Sequence, residues 1–148
     1  MSTPPEVTRE TTLHVRDHCL CLHAQRAARA LARRFDEAFK PLGLTNGQFS
    51  LMMSLNRPEP PTIGGVATFL AMDRTTLTAA LKPLTRRGLV EVAVDAKDRR
   101  SRRMKLTPAG RSLLAEAVPI WRQNHAELDR LLPDGHADRL RLDLKTLS

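Results

Sequence analysis

The sequence predicts a mainly α-helical chain carrying one small β-hairpin, and three observations support that class. Apolar residues recur at three- and four-residue steps along most of the 148 residues, which is the period of one helix face. Thr45, Thr62, Asp73 and Thr107 each precede such a run, where a side-chain oxygen can accept an otherwise unpaired first-turn amide. A single stretch, Leu89 to Leu106, breaks the period with β-rich sequence around a polar tip.

From about Asp17 to Lys40, Leu20, Ala24, Ala27, Ala28, Leu31, Phe35, Ala38 and Phe39 form one amphipathic stripe, with Arg26, Arg29, Arg33 and Asp36 off it. Pro41 and Gly43 end this helix. Thr45-Asn46-Gly47-Gln48 has the form of a capping box and opens a helix with Phe49, Met52, Met53 and Leu55. That helix stops before Pro58-Glu59-Pro60-Pro61. Thr62 caps a short helix with Ile63, Val66, Ala67 and Leu70, in which Gly64 and Gly65 each cost about 1 kcal/mol against alanine. Asp73 then caps a helix through Leu77, Ala80, Leu81 and Leu84 to Arg86-Arg87. Gly88 is its expected left-handed terminator, and Pro83 is expected to kink its last turn.

Leu89–Val94 and Arg103–Leu106 pair as a hairpin with Asp95–Arg102 at its tip. Thr107-Pro108 starts a long helix bearing Leu113, Leu114, Ala117, Trp121, Leu128 and Leu131, with a kink expected near Pro119. Pro133-Asp134-Gly135 separates it from a last helix with Leu140, Leu144 and Leu147. Two short helices joined by a tight turn and followed by a hairpin define a winged helix-turn-helix. The first and last helices have apolar stripes with no obvious partner in so small a core. The expected organisation is a flexible start at 1–12, a winged helix-turn-helix at 44–106, and terminal dimerisation helices at 13–43 and 107–148. Pairing of two copies would set two recognition helices into successive major grooves, roughly 34 Å apart.

Charge points the same way. The formal net charge is +8 and the sequence pI near 10.7, a balance that favours a polyanionic partner. Asp73 to Lys105 holds ten basic residues against four acidic ones, a net of +6. This basic run coincides with the second helix of the helix-turn-helix and with the tip of its wing, so double-stranded DNA is the expected partner. Four Phe, one Trp and no Tyr leave little for the stacking platforms of single-strand or RNA modules. Leu77, Leu81 and Leu84 would face the core, turning Arg74, Thr75, Thr78 and Lys82 outward. Arg74 can take guanine O6 and N7 bidentately, and Thr75, Thr76 and Thr78 offer hydroxyls and methyls to base edges. In the wing, Arg99, Arg100 and Arg102 suit a narrow minor groove or phosphates, with Asp98 fixing them by a salt bridge. Arg86, Arg87, Arg103 and Lys105 are expected to be basic surroundings only.

These residues resemble the MarR family of bacterial transcriptional regulators, from about Cys19 to Leu132. The most specific segments are Asp73-Arg74-Thr75-Thr76-Leu77-Thr78, Arg87-Gly88-Leu89-Val90, Asp95-Ala96-Lys97-Asp98-Arg99-Arg100 and Leu106-Thr107-Pro108-Ala109-Gly110. The resemblance implies an obligate homodimer on a pseudo-palindrome, usually acting as a repressor. It also implies release by a small, often aromatic, anionic ligand between the dimerisation helices and the winged domain. Arg26, Met52 and Met53 sit on the helices that bound that pocket, although core or surface placement is the simpler reading of each. Leu20-Cys21-Leu22 resembles the segment where the family's organic-hydroperoxide sensors keep a reactive cysteine. Those sensors hold the thiolate with tyrosines, which this chain lacks, so Cys21 reads first as an inert thiol and redox sensing as the alternative.

Cys19 and Cys21 do not form a disulfide framework and suit a reducing cytoplasm. No run approaches the roughly 20 apolar residues of a membrane span, so no membrane partner is expected. The pairs Cys19/His23 and His14/His18 have metal-compatible spacing, but nothing completes a site. No cofactor is expected. An enzyme is disfavoured for want of a phosphate loop, paired carboxylates in a motif or an oriented nucleophile; His125 and His136 read as isolated surface residues. Non-specific nucleic-acid binding is the remaining alternative.

Overall fold

Each helix but the last begins where a side chain or turn can satisfy its first amides. In the computed structural model, which describes residues 1 and 5–148, Thr8 Oγ1 accepts from Thr11 N at 3.1 Å and opens α1 (Arg9–His18). α2 spans Leu20–Phe39, and a 3-10 turn at Lys40–Leu42 ends on Gly43 with φ 65°. Thr45 opens α3 (Asn46–Leu55) through the expected capping box: Gln48 N donates to Thr45 Oγ1 and Thr45 N to Gln48 Oε1. Thr62, Asp73 and Thr107 cap α4 (Ile63–Phe69), α5 (Arg74–Arg86) and α6 (Pro108–Asp129). α7 (His136–Leu147) follows left-handed Gly135 without a side-chain cap.

The chain divides into two units, Met1–Arg34 and Phe35–Ser148. One expectation for the first is corrected. The single helix from Asp17 is two, broken at Cys19, whose backbone is extended. Cys19 Sγ accepts the Leu22 amide at 3.4 Å, a local contact that the apolar period, running across the break, does not register. In the segment 1–12, α1 begins at Arg9, where Thr8 caps its first turn and Glu10 complements the helix dipole. Residues 2–4 of that segment lie outside the described residues. No residue of α1 is buried, and Leu20 and Leu31 of the α2 stripe are exposed.

The second unit holds the core. Phe35 and Phe39, from the last turns of α2, pack with Phe49, Leu51, Met52 and Leu55 of α3, Leu77, Leu81 and Leu84 of α5, and Leu114 and Ala117 of α6. Phe39 is fully buried and its ring stacks on Phe49 at 4.7 Å; burial of one such side chain is worth about 1.5–3 kcal/mol. α5 continues past Pro83, and α6 past Pro119.

β1 (Val90–Val94) and β2 (Arg102–Leu106) pair antiparallel, with Val90 opposite Leu106 and Val92 opposite Met104. The hairpin is tied to the loop before α4: Met104 N donates to Pro61 O at 3.0 Å, and Thr62 bridges Arg103. No helix among the described residues is long and apolar enough to cross a membrane.

One junction joins the end of α5, the start of β1 and the start of α6. Gly88 terminates α5 with φ 70°, as expected. Thr107 Oγ1 donates to Gly88 O at 2.6 Å and Thr107 N to Leu89 O at 3.0 Å. α6 then passes so close that a Cβ at Gly110 would collide with the Leu89 carbonyl oxygen. Backbone cannot yield as a side-chain tip can, so Gly110→Ala is expected to destabilise the fold by about 1–3 kcal/mol. Urea unfolding checks this; an unchanged midpoint would show that the junction relaxes freely.

Candidate nucleic-acid interface

α5 buries Leu77, Leu81 and Leu84 and leaves Arg74, Thr75, Thr78 and Lys82 exposed, the face expected from its period. Asp73 holds the helix start with both carboxylate oxygens. Oδ1 accepts from Thr76 N at 2.7 Å and Oδ2 from the Thr76 hydroxyl at 2.9 Å. Those two bonds, the amide first, hold the Asp73 carboxyl below its ordinary value. Thr76 thus gives its hydroxyl proton to the cap while its side chain stays exposed.

The wing tip is closed by Asp95 N to Ser101 O at 3.0 Å and Ser101 N to Asp98 O at 2.9 Å. Asp98 Oδ1 accepts from both the amide and Nε of Arg100, at 3.0 and 3.3 Å. This is the pairing expected of Asp98, although among the described residues it reaches Arg100 alone of the wing arginines, and a pair so exposed orients its arginine more than it stabilises the fold. Arg102 Nη1 donates to Arg99 O at 3.0 Å. Arg99, Arg100 and Arg102 are all exposed.

Two arginines expected to be mere surroundings are structural ties. Arg87 donates to the carbonyls of Gly43 at 2.7 Å and Leu42 at 3.3 Å, binding the end of α5 to the corner before α3. Arg103 donates to Pro60 O at 2.6 Å and pairs with buried Asp95 at 3.2 Å. The carbonyl partners lie more than 40 residues away in sequence, so neither tie to them is visible as a motif.

One cleft of about 450 Å³ gathers the rest. Its lining joins Thr62, Ile63 and Gly64 of α4 and its cap, Arg74 and Thr78 of α5, and Asp98, Arg100, Ser101 and Arg102 of the wing. Thr75, Lys82 and Arg99 lie outside this lining, on exposed surface. Three guanidinium groups against one carboxylate make the cleft suited to an anionic backbone or to acceptor-rich edges. Gly64 has a part that sequence reasoning missed: a Cβ there would lie 2.7 Å from Arg74 Nη2. The only signal was the presence of a glycine in a helix that would be better served by alanine.

A second, larger cavity of about 720 Å³ is lined by Phe49, Ser50, Met53, Ser54 and Arg57 of α3 and its following loop, Val66, Phe69 and Leu70 of α4 and its cap, and Val118, Trp121 and Arg122 of α6. Its walls are apolar apart from two serines and two arginines. Met53 lines it. Met52 does not; it is fully buried in the core, because it shares a helix face with Phe49 and Leu55. Arg26 is exposed on α2 within the first unit. Arg57 and Arg122 are the basic groups that sequence reasoning missed. Cys21 is exposed, and its Sγ accepts from Gln25 Nε2 at 3.2 Å.

His125 is also corrected. It is half-buried, with its ring 5.1 Å from Phe35 and 4.4 Å from Trp121. Burial, then the Arg141 charge, lowers its pKa, and Asp129 opposes the shift.

A helical core, a capped exposed helix and a hairpin bordering it together define a winged helix-turn-helix fold. A family model of the MarR family matches residues 44–101. The chain is 39% identical to the M. tuberculosis transcriptional regulator MosR, solved in complex with DNA, over 88% of this chain and 93% of that one, with a TM-score of 0.80. It is 28% identical to the transcriptional repressor CouR, solved on a 23-mer DNA duplex, over 97% and 99% of the two chains, with a TM-score of 0.81. It is 33% identical to the transcriptional activatory protein BadR of Rhodopseudomonas palustris over 87 residues, 57% of this chain and half the length of that relative. The chain belongs to the MarR family, and MosR, CouR and BadR, to which it is similar, are transcriptional regulators.

Asp95 gives the wing a pH signature. The hydrogen bond from Arg103, then the Lys97 amide, lowers its carboxyl below the ordinary 3.8. A depressed folded-state pKa stabilises the fold fully above the unfolded value, and this contribution is lost as pH falls through the folded one. Asp95→Asn is therefore expected to lower the melting temperature at neutral pH, with the gap from wild type closing below about pH 4. Melting curves across pH 3–7 check it; a gap that persists at the acid end would assign the loss to packing instead.

Proposed function

We propose that this chain is a sequence-specific regulator that binds a pseudo-palindromic duplex as a homodimer and represses transcription until a small anionic ligand releases it. The observation that carries the DNA reading is the shared cleft, in which Arg74 and Thr78 of α5 meet Arg100 and Arg102 of the wing. Arg74, Thr75 and Thr78 read base edges in the major groove, while Arg99, Arg100 and Arg102 hold the adjacent minor groove or phosphates. Lys82, a turn beyond Thr78 on α5, reaches the backbone. The DNA complexes of MosR and CouR support this reading by analogy.

Homodimerisation accounts for the terminal helices. α1 and α7 bury nothing, and Leu140, Leu142, Leu144 and Leu147 of α7 are all exposed. Four leucines open to water on one short helix mark a surface that a second copy covers. Repression is the output proposed, as in CouR, with activation, as in BadR, the opposite outcome of a promoter-reporter assay.

Sedimentation should give a dimer, and duplexes selected by the protein from a randomised pool should contain two half-sites. Arg100→Ala is expected to weaken selected and shuffled duplexes alike and to reduce the salt slope by about one. Thr75→Ala is expected to lower affinity for the selected duplex only. Equal behaviour of both variants on both duplexes would overturn the division between helix and wing.

The ligand reading rests on Arg57 and Arg122 in an otherwise apolar cavity, which suits an aromatic body with an anionic group. Aromatic carboxylates should raise the melting temperature of the wild type and release the selected duplex, with both effects lost in Arg122→Ala. A panel without effect on the wild type would remove this ligand class.

A further inference from the structure

Gly64 lies in the first turn of α4, where its backbone has no left-handed φ to require glycine. Alanine would serve the helix better. What its missing side chain provides is room: a Cβ would lie 2.7 Å from Nη2, 3.2 Å from Cζ and 3.5 Å from Nε of Arg74, so the guanidinium lies along the bare Cα. Both residues line the cleft shared with Thr78, Arg100 and Arg102. Asp73, the carboxylate next to Arg74, is engaged by Thr76. Among the described residues, the Arg74 side chain has no hydrogen-bond or ion-pair partner, so packing places its guanidinium while its N–H donors stay available.

We propose that Gly64 is a specificity-determining position: it seats the Arg74 guanidinium in the cleft, ordered before DNA arrives, to meet a paired acceptor edge such as guanine O6 and N7. The inference rests on the reading of this cleft as the duplex-binding surface. An arginine loses much rotamer freedom when it is fixed. A seat made by packing takes part of that cost in advance and leaves the planar fork free for two parallel bonds to one base. Because the atoms met by a new Cβ are the far end of a flexible side chain, alanine moves the arginine rather than the helix.

The test compares wild type, Gly64→Ala, Arg74→Ala and the double variant on two duplexes: the consensus that the wild type selects from a randomised pool, and its shuffled sequence. Gly64→Ala should melt at or above the wild-type temperature, bind the shuffled duplex within about twofold, and bind the consensus about tenfold more weakly, the size of one good base contact. The loss should fall on a single base pair. Arg74→Ala should lose as much at the same base pair, and adding Gly64→Ala to it should cost nothing further. Full discrimination by Gly64→Ala would overturn the inference, as would an equal loss on both duplexes or a loss that persists without Arg74. A wild-type protein that selects no consensus would overturn the DNA reading itself, and this inference with it.

Discussion

The close passage of Gly110 over the Leu89 carbonyl is the constraint on which the binding surface depends. At that point the end of α5, the residue that leads into β1 and the first turn of α6 are joined through Thr107 and Gly88 within a few ångströms. α5 cannot turn relative to the hairpin without moving backbone against backbone. Arg87 and Arg103 fasten the same assembly at two further points, one at the corner before α3 and the other at the loop before α4. A rigid frame of this kind is what allows side chains from two distant elements to face one cleft.

The arginines of this region divide by partner rather than by kind. Arg87 donates to two exposed backbone carbonyls, and Arg103 to a half-buried carbonyl and the buried Asp95 carboxylate, where a charged hydrogen bond is worth more than on the surface. Arg74, Arg100 and Arg102 border the cleft and are exposed. Their local contacts, such as Asp98 with Arg100, set direction at little gain in stability. The high net charge of the stretch thus covers two kinds of work, holding the wing and facing a polyanion.

Several features were legible because they are local. The caps at Thr45, Thr62, Asp73 and Thr107, the left-handed Gly88, the hairpin and the buried leucines of α5 all follow from neighbours three or four residues away or from strict alternation. The break at Cys19 was not legible, since the apolar stripe runs on across it and only backbone-to-side-chain contacts mark it. Met52 and Met53 could not be told apart by type. They are adjacent on one helix, and only the packing of that helix sends the first into the core and the second to the cavity. His125 read as a surface residue for the same reason, because Phe35 comes to it from far away in sequence.

By itself, then, the amino-acid order determined the helical period, the element boundaries that depend on capping, and the concentration of positive charge on one helix and one hairpin. These are matters of adjacent residues and composition. Which arginines are tied and which are presented, why Gly64 and Gly110 lack side chains, and where the cavity acquires Arg57 and Arg122 were decided only by tertiary structure. Each depends on atoms brought together across long stretches of chain, and sequence periodicity carries no record of such approaches.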